Sequence, residues 1–100
     1  MLNQVILVGR VSKDVEVSLL DDGRKKAVLS LDIKNKFNEY VYESYSIPVV
    51  LWDEKAEDFI EYCSVGSTVG VKASLRVVDL NIEVIAEKIT FINIKEDNKN

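Results

Sequence analysis

Residues 25 to 35, KKAVLSLDIKN, put Ala27, Leu29, Leu31 and Ile33 on one side of an extended chain and Lys26, Val28, Ser30, Asp32 and Lys34 on the other. A period of two held this long excludes a helix and requires a sheet with one apolar face. The same period recurs on both sides of it. QVILVGRV reads as a first strand buried on at least one face and largely on both, with Gly9 marking a bend or bulge, and EVSLL extends or resumes it after the turn-like SKD. DDGR at 21 to 24 is a hairpin signal in which Gly23 can take positive φ. After a short loop from Lys36 to Glu39, a third strand is expected from Tyr40 to Trp52, with Pro48 placing it at an edge or at a bulge.

The period then changes once. Ala56, Phe59, Ile60 and Cys63 fall at i, i+3, i+4 and i+7, a helical stripe, with Asp53 as its expected N-cap and Gly66 as its stop. Alternation returns in TVGVKASLRVV, where Val69, Val71, Ala73, Leu75 and Val77 are expected inward. DLN is a short turn, and IEVIAEKITFINI is a last strand whose phase slips between Ile85 and Ile89, the mark of a bulge. Five strands with one helix between the third and fourth predict an all-β protein, a five-stranded OB-fold barrel whose surface over strands 2 and 3 commonly binds oligonucleotides. One domain over residues 1 to 94 and a short polar tail over 95 to 100 account for the 100-residue chain.

Composition narrows the function classes. With no histidine and one cysteine, histidine-based triads and the usual zinc ligand sets are out of reach. Carboxylate-only catalysis stays formally open, but no acid pair is placed by motif to share a substrate, so no enzyme, metal, cofactor or small-molecule substrate is expected. Lone Cys63 can form no disulfide within the chain, no apolar run approaches a membrane span, and MLNQVILVGR does not read as a signal peptide. A cytoplasmic protein without a membrane partner is therefore expected. The net charge of −4 is that of residues 53 to 61 alone, which hold five acids and one lysine, the solvated face of the expected helix. The remainder sums to zero and leaves room for a basic face.

Four of the eight aromatic residues, Phe37, Tyr40, Tyr42 and Tyr45, crowd into KNKFNEYVYESYS, the loop between strands 2 and 3 and the start of strand 3. That is the rim of the oligonucleotide face. MLNQVILVGRVSKD, AVLSLDIKNKF, IPVVLWDEKAEDFIEYCSVGSTVGV and EVIAEKITFI together resemble, in order, the bacterial single-stranded DNA-binding protein family. The resemblance implies an OB-fold, a homodimer or homotetramer, and binding of single-stranded DNA without sequence preference in replication, repair or recombination. Phe37 matches the family aromatic at the end of strand 2 and Trp52 the one that closes strand 3, while the middle aromatic position falls on Ser46. The family's long hairpin between strands 4 and 5 shortens to VVDLNI with Arg76 near its base. The sequence ends at KEDNKN, where the family carries a partner-recruiting tail. Primosomal replication protein N is a short relative with the same implied fold.

Stacking makes Phe37 and Trp52 the expected base platforms, because every base has a π-face. Tyr40 and Tyr42 are further candidates that could equally pair across strands, and Tyr45, on the apolar phase, is expected in the core. Arg10, Lys34, Lys36, Lys72 and Arg76 project from outward positions where they could track phosphates, with Lys13 and Lys26 as extensions. A second reading keeps the fold and gives up the DNA: an OB-fold module that binds protein partners.

Overall fold

The computed structural model describes residues 1–36, 38–40 and 42–93. It contains β1 (Val5–Val11), β2 (Glu16–Leu19), β3 (Lys25–Lys36), β4 (Tyr42–Trp52), α1 (Glu54–Tyr62), β5 (Thr68–Val78) and β6 (Asn81–Asn93). β1 pairs with β5, β5 with β6, β6 with β4, β4 with β3, and β3 with β1, so five strands form a closed ring of pairings. Six strand segments replace the expected five because the first strand is interrupted. β1 bonds to β3 at Asp32 and Leu31, and β2 then continues along the same strand from Val28 to Lys25. The break spans Ser12, whose amide and hydroxyl both donate to the Ser30 carbonyl at 3.1 Å.

The ring closes through a short parallel contact, Val49 with Val84 and Val50 with Ile85. Inside lie Ala27, Leu29, Leu31, Val69, Val71 and Ala73, inward phases read from the sequence, together with Val11, Val49 and Leu51, and α1 plugs one end with Ala56 and Phe59. The helical stripe is only partly buried: Ile60 is half exposed.

Several local expectations are corrected. Gly9 makes no bulge and stays in register opposite Val69; its missing side chain lets β1 cross β3, since a Cβ there would sit 2.3 Å from the Asp32 carbonyl oxygen and 2.7 Å from Ile33 Cδ1. Pro48 makes no bulge either, and of the two expected alternatives the edge is the one found locally. The β3–β4 register runs unbroken from Lys26–Trp52 to Lys36–Tyr42, and Pro48 is tolerated because β6 joins the other edge of β4 only at Val49. β4 begins at Tyr42, which leaves Tyr40 in the preceding loop. Asp53 does not cap α1 with its side chain. With φ 49°, it turns its carboxylate back to accept the Lys25 amide at 2.9 Å, while its own amide donates to the Lys25 carbonyl.

Leu75 and Val77 keep the inward phase but are exposed, and Tyr45 is 44% exposed instead of core. The cause is common to all three: β3 with β4, and β5 with β6, run on beyond the barrel, where an inward-facing position has no interior to face. The slip expected in the last strand is present, with Lys72 opposite Lys88 and Ala73 opposite Ala86, so Glu87 is the extra residue of a bulge. Asp79 and Leu80 turn the β5–β6 hairpin, both with positive φ as a two-residue hairpin turn of this kind requires.

The β1–β3 crossing makes Gly9 the most sensitive backbone position of the barrel. Gly9→Ala forces backbone apart at a strand crossing and should cost about 1–3 kcal/mol by the overpacking rule, measured as a shift in urea midpoint with an unchanged slope.

Candidate nucleic-acid interface

Directly paired residues of antiparallel strands share a face, so the β3–β4 register writes out the outer surface row by row. From one end it reads Lys26 with Trp52, Val28 with Val50, Ser30 with Pro48, Asp32 with Ser46, Lys34 with Ser44 and Lys36 with Tyr42. Ten residues separate Trp52 from Tyr42, about 33 Å at the strand rise. The middle of the face is less wet than its alternation suggests, since Ser30 and Val50 are 8% and 4% exposed. Charge and aromatic surface collect at the two ends.

At the Tyr42 end one carboxylate, Asp32, stands among the cations. Lys34 and Lys36 are exposed, and Arg10, brought over by the β1–β3 crossing opposite Asp32, shares an open hollow with Lys34, Ser44 and Thr68. No ion pair among the described residues involves Arg10, Lys34 or Lys36. Tyr42 is 67% and Tyr40 88% exposed, and the Tyr40 amide donates to Asn38 Oδ1, an Asx-type turn that ends the loop. Phe37, the expected platform at this end, lies outside the described residues.

The Trp52 end is electrostatically closed. Arg24 Cζ stands 4.7 Å from the Trp52 ring centroid and Lys26 Nζ 5.7 Å from it, both within cation–π range. Each neighbouring cation also has a carboxylate: Arg24 with Asp22 at 2.8 Å, Lys25 with Glu57 at 3.3 Å and Lys26 with Glu83 at 3.4 Å. The Arg24 side chain and amide both donate to Asp22, which holds the Asp22 carboxyl below its ordinary pKa. Arg76 is the Cα partner of Glu83 and so flanks this end.

Lys72 is not part of either group. It projects from the β1–β5–β6 side, paired with Ile6 and Lys88 and beside the exposed Ile6, Val8 and Ile92. Lys13 lies away from the face, on the rim of a groove between the β1–β2 connection and α1. Among the described residues, no cluster of three or more His, Cys, Asp or Glu side chains could hold a metal ion, and no helix is long and apolar enough to cross a membrane.

The sequence profile of the Single-strand binding protein family matches residues 2–94. The chain belongs to the single-strand binding protein family. Single-stranded DNA-binding protein B of Bacillus subtilis is 30% identical over 99% of this chain and 97% of its own length. Single-stranded DNA-binding protein 3 of Clostridium acetobutylicum is 28% identical over 99% of this chain and 76% of its own. Among solved structures, the protein priB of Ralstonia solanacearum superposes with a TM-score of 0.74 at 12% identity, covering 92% of this chain and all of that one. The mitochondrial single-stranded DNA-binding protein of Saccharomyces cerevisiae gives 0.73 at 14%, covering 95% and all of that chain. At such identities the likeness is one of fold, and it is the OB-fold.

For this family member, sequence reading missed Arg24, which was absorbed into the hairpin signal DDGR. The usable cue was register: the β3–β4 pairing sets Lys26 opposite the strand end at Trp52, and Arg24, two residues before Lys26, then lies just beyond that end, within reach of the ring. It also missed what Tyr45 does. Its hydroxyl donates to the Glu43 carboxylate two residues away on the same face, and this bond raises the phenol pKa above its ordinary value. In an alkaline titration the Tyr45 phenol should ionise late, and Glu43→Gln should lower its pKa.

Proposed function

We propose that this chain binds single-stranded DNA without sequence preference, by stacking bases on aromatic side chains at the ends of the β3–β4 face and neutralising phosphates between them. The observation that carries the reading is the exposed basic and aromatic end: Arg10, Lys34, Lys36, Tyr40 and Tyr42, open to solvent and, among the described residues, its cations in no ion pair, on the face an OB-fold commonly offers to oligonucleotides. Membership of the single-strand binding protein family and relatives named for single-stranded DNA binding support it. Trp52 serves the far end of the strand path, with Arg76 beside it, and Phe37 belongs to the same set by its place after Lys36. Lys72 contributes only if DNA continues around the barrel. The role is binding, without a catalytic step, in DNA replication, repair or recombination.

Self-association belongs to the same proposal. Ile6, Val8 and Ile92 are 70%, 56% and 55% exposed on the β1–β5–β6 face, an apolar surface that a second copy of the chain would cover in a homodimer or homotetramer. Lys72 and Lys88, directly opposed across β5 and β6, flank that surface and set its polar rim.

Anisotropy of labelled oligo-dT titrated at two salt concentrations should show tight, salt-sensitive binding, and no binding at low salt would leave the protein-partner reading instead. Trp52→Ala should cost about 1–3 kcal/mol of affinity with the salt slope retained, whereas Lys34→Ala or Lys36→Ala should flatten the slope. Light scattering should return a multiple of the chain mass, and Val8→Asp should reduce it to one chain. A wild-type mass of one chain at micromolar concentration would overturn the assembly.

A further inference from the structure

Trp52 is the only tryptophan, and in the free protein its ring is already occupied. The two cations over it are held differently. Lys26 belongs to β3, is directly paired with Trp52, and has a side chain only 28% exposed that bonds Glu83 on β6. Arg24 lies outside the strand in the hairpin, stands closer to the ring, and has a side chain 53% exposed whose carboxylate partner, Asp22, is 55% exposed and two residues away. Its backbone is fixed: the Leu20 amide donates to the Arg24 carbonyl at 2.8 Å, and the Gly23 amide to the Leu20 carbonyl at 2.9 Å. Only the guanidinium can leave, and an exposed local ion pair holds it weakly.

We propose that Arg24 is a removable cap on Trp52. In the free protein the guanidinium covers a ring that would otherwise face water. When single-stranded DNA docks, a base takes its place over the indole and the guanidinium exchanges the Asp22 carboxylate for a backbone phosphate beside that base. The guanidinium keeps an anionic partner throughout, since carboxylate and phosphate are alternative acceptors for the same planar donor, and the exposed Asp22 carboxylate is returned to water. It rests on the reading that Trp52 stacks a base, and adds to it a positioning and phosphate-binding role for a residue of the β2–β3 hairpin. Lys26 stays with Glu83 and fixes the other side of the platform.

Three proteins test it: wild type and the variants Arg24→Ala and Arg24→Lys, the two variants altered only at an exposed hairpin side chain. In the free state, quenching of Trp52 emission by acrylamide should be stronger in Arg24→Ala than in wild type, and saturating oligo-dT should abolish that difference because a base covers the ring in both. The slope of log affinity against log salt should fall by about 0.7 in Arg24→Ala, the contribution of one phosphate on a single strand, and Arg24→Lys should restore it. A merely structural arginine would leave that slope untouched. Equal quenching of the free proteins, or an unchanged slope in Arg24→Ala, overturns the cap while leaving DNA binding in place. Failure of the wild type itself to bind oligo-dT removes the stacking reading and the cap together.

Discussion

Everything in this barrel depends on β3 being bonded to three strands at once. One edge is given wholly to β4, and the other is divided between β1 and β2. The division is possible because β1 passes close over β3 at Gly9, where any side chain would press on the Asp32 carbonyl. β1 is then free to pair with β5 along its remaining length, and the ring needs only the two-residue parallel contact between β4 and β6 to close. The same crossing carries Arg10 onto the outer face beside Lys34. A packing constraint in the wall thus sets the composition of the surface.

The alternating segments were legible because burial in a barrel has a period of two, and that period survives in Ala27, Leu29 and Leu31 or in Val69, Val71 and Ala73 whatever the partners are. The bulge at Glu87 was legible for the same reason, as a break in phase. Periodicity says nothing about where the barrel stops. Leu75, Val77 and Tyr45 keep the inward phase past its ends and are exposed, because phase is a property of the strand and burial a property of what stands opposite. Asp53 misled in a similar way. An acid before a helix is a good cap only if its carboxylate is free, and here the end of the β3–β4 ladder claims it first.

On the candidate face, residue types were readable and their states were not. Lys34 and Trp52 both lie on outward positions of adjoining strands, yet one is an exposed cation in no ion pair among the described residues and the other a ring under two paired cations. Nothing in the sequence near Trp52 announces Arg24, 28 positions earlier; only the strand register brings them together. The tyrosines of the aromatic cluster separate likewise into an exposed pair, Tyr40 and Tyr42, and Tyr45, whose hydroxyl is engaged by Glu43.

The acids of α1 stand at the Trp52 end of the β3–β4 path, tied there by Lys25 and Glu57, while Lys34 and Lys36, in no ion pair among the described residues, stand toward the other end, about 33 Å away along the strands. At physiological ionic strength electrostatic potential decays over about 8 Å. A polyanion approaching Lys34 and Lys36 therefore meets those charges and not the molecular total of −4. For a chain whose charges are separated by several screening lengths, the isoelectric point describes its behaviour in a focusing gel, and local potential governs what it touches in solution.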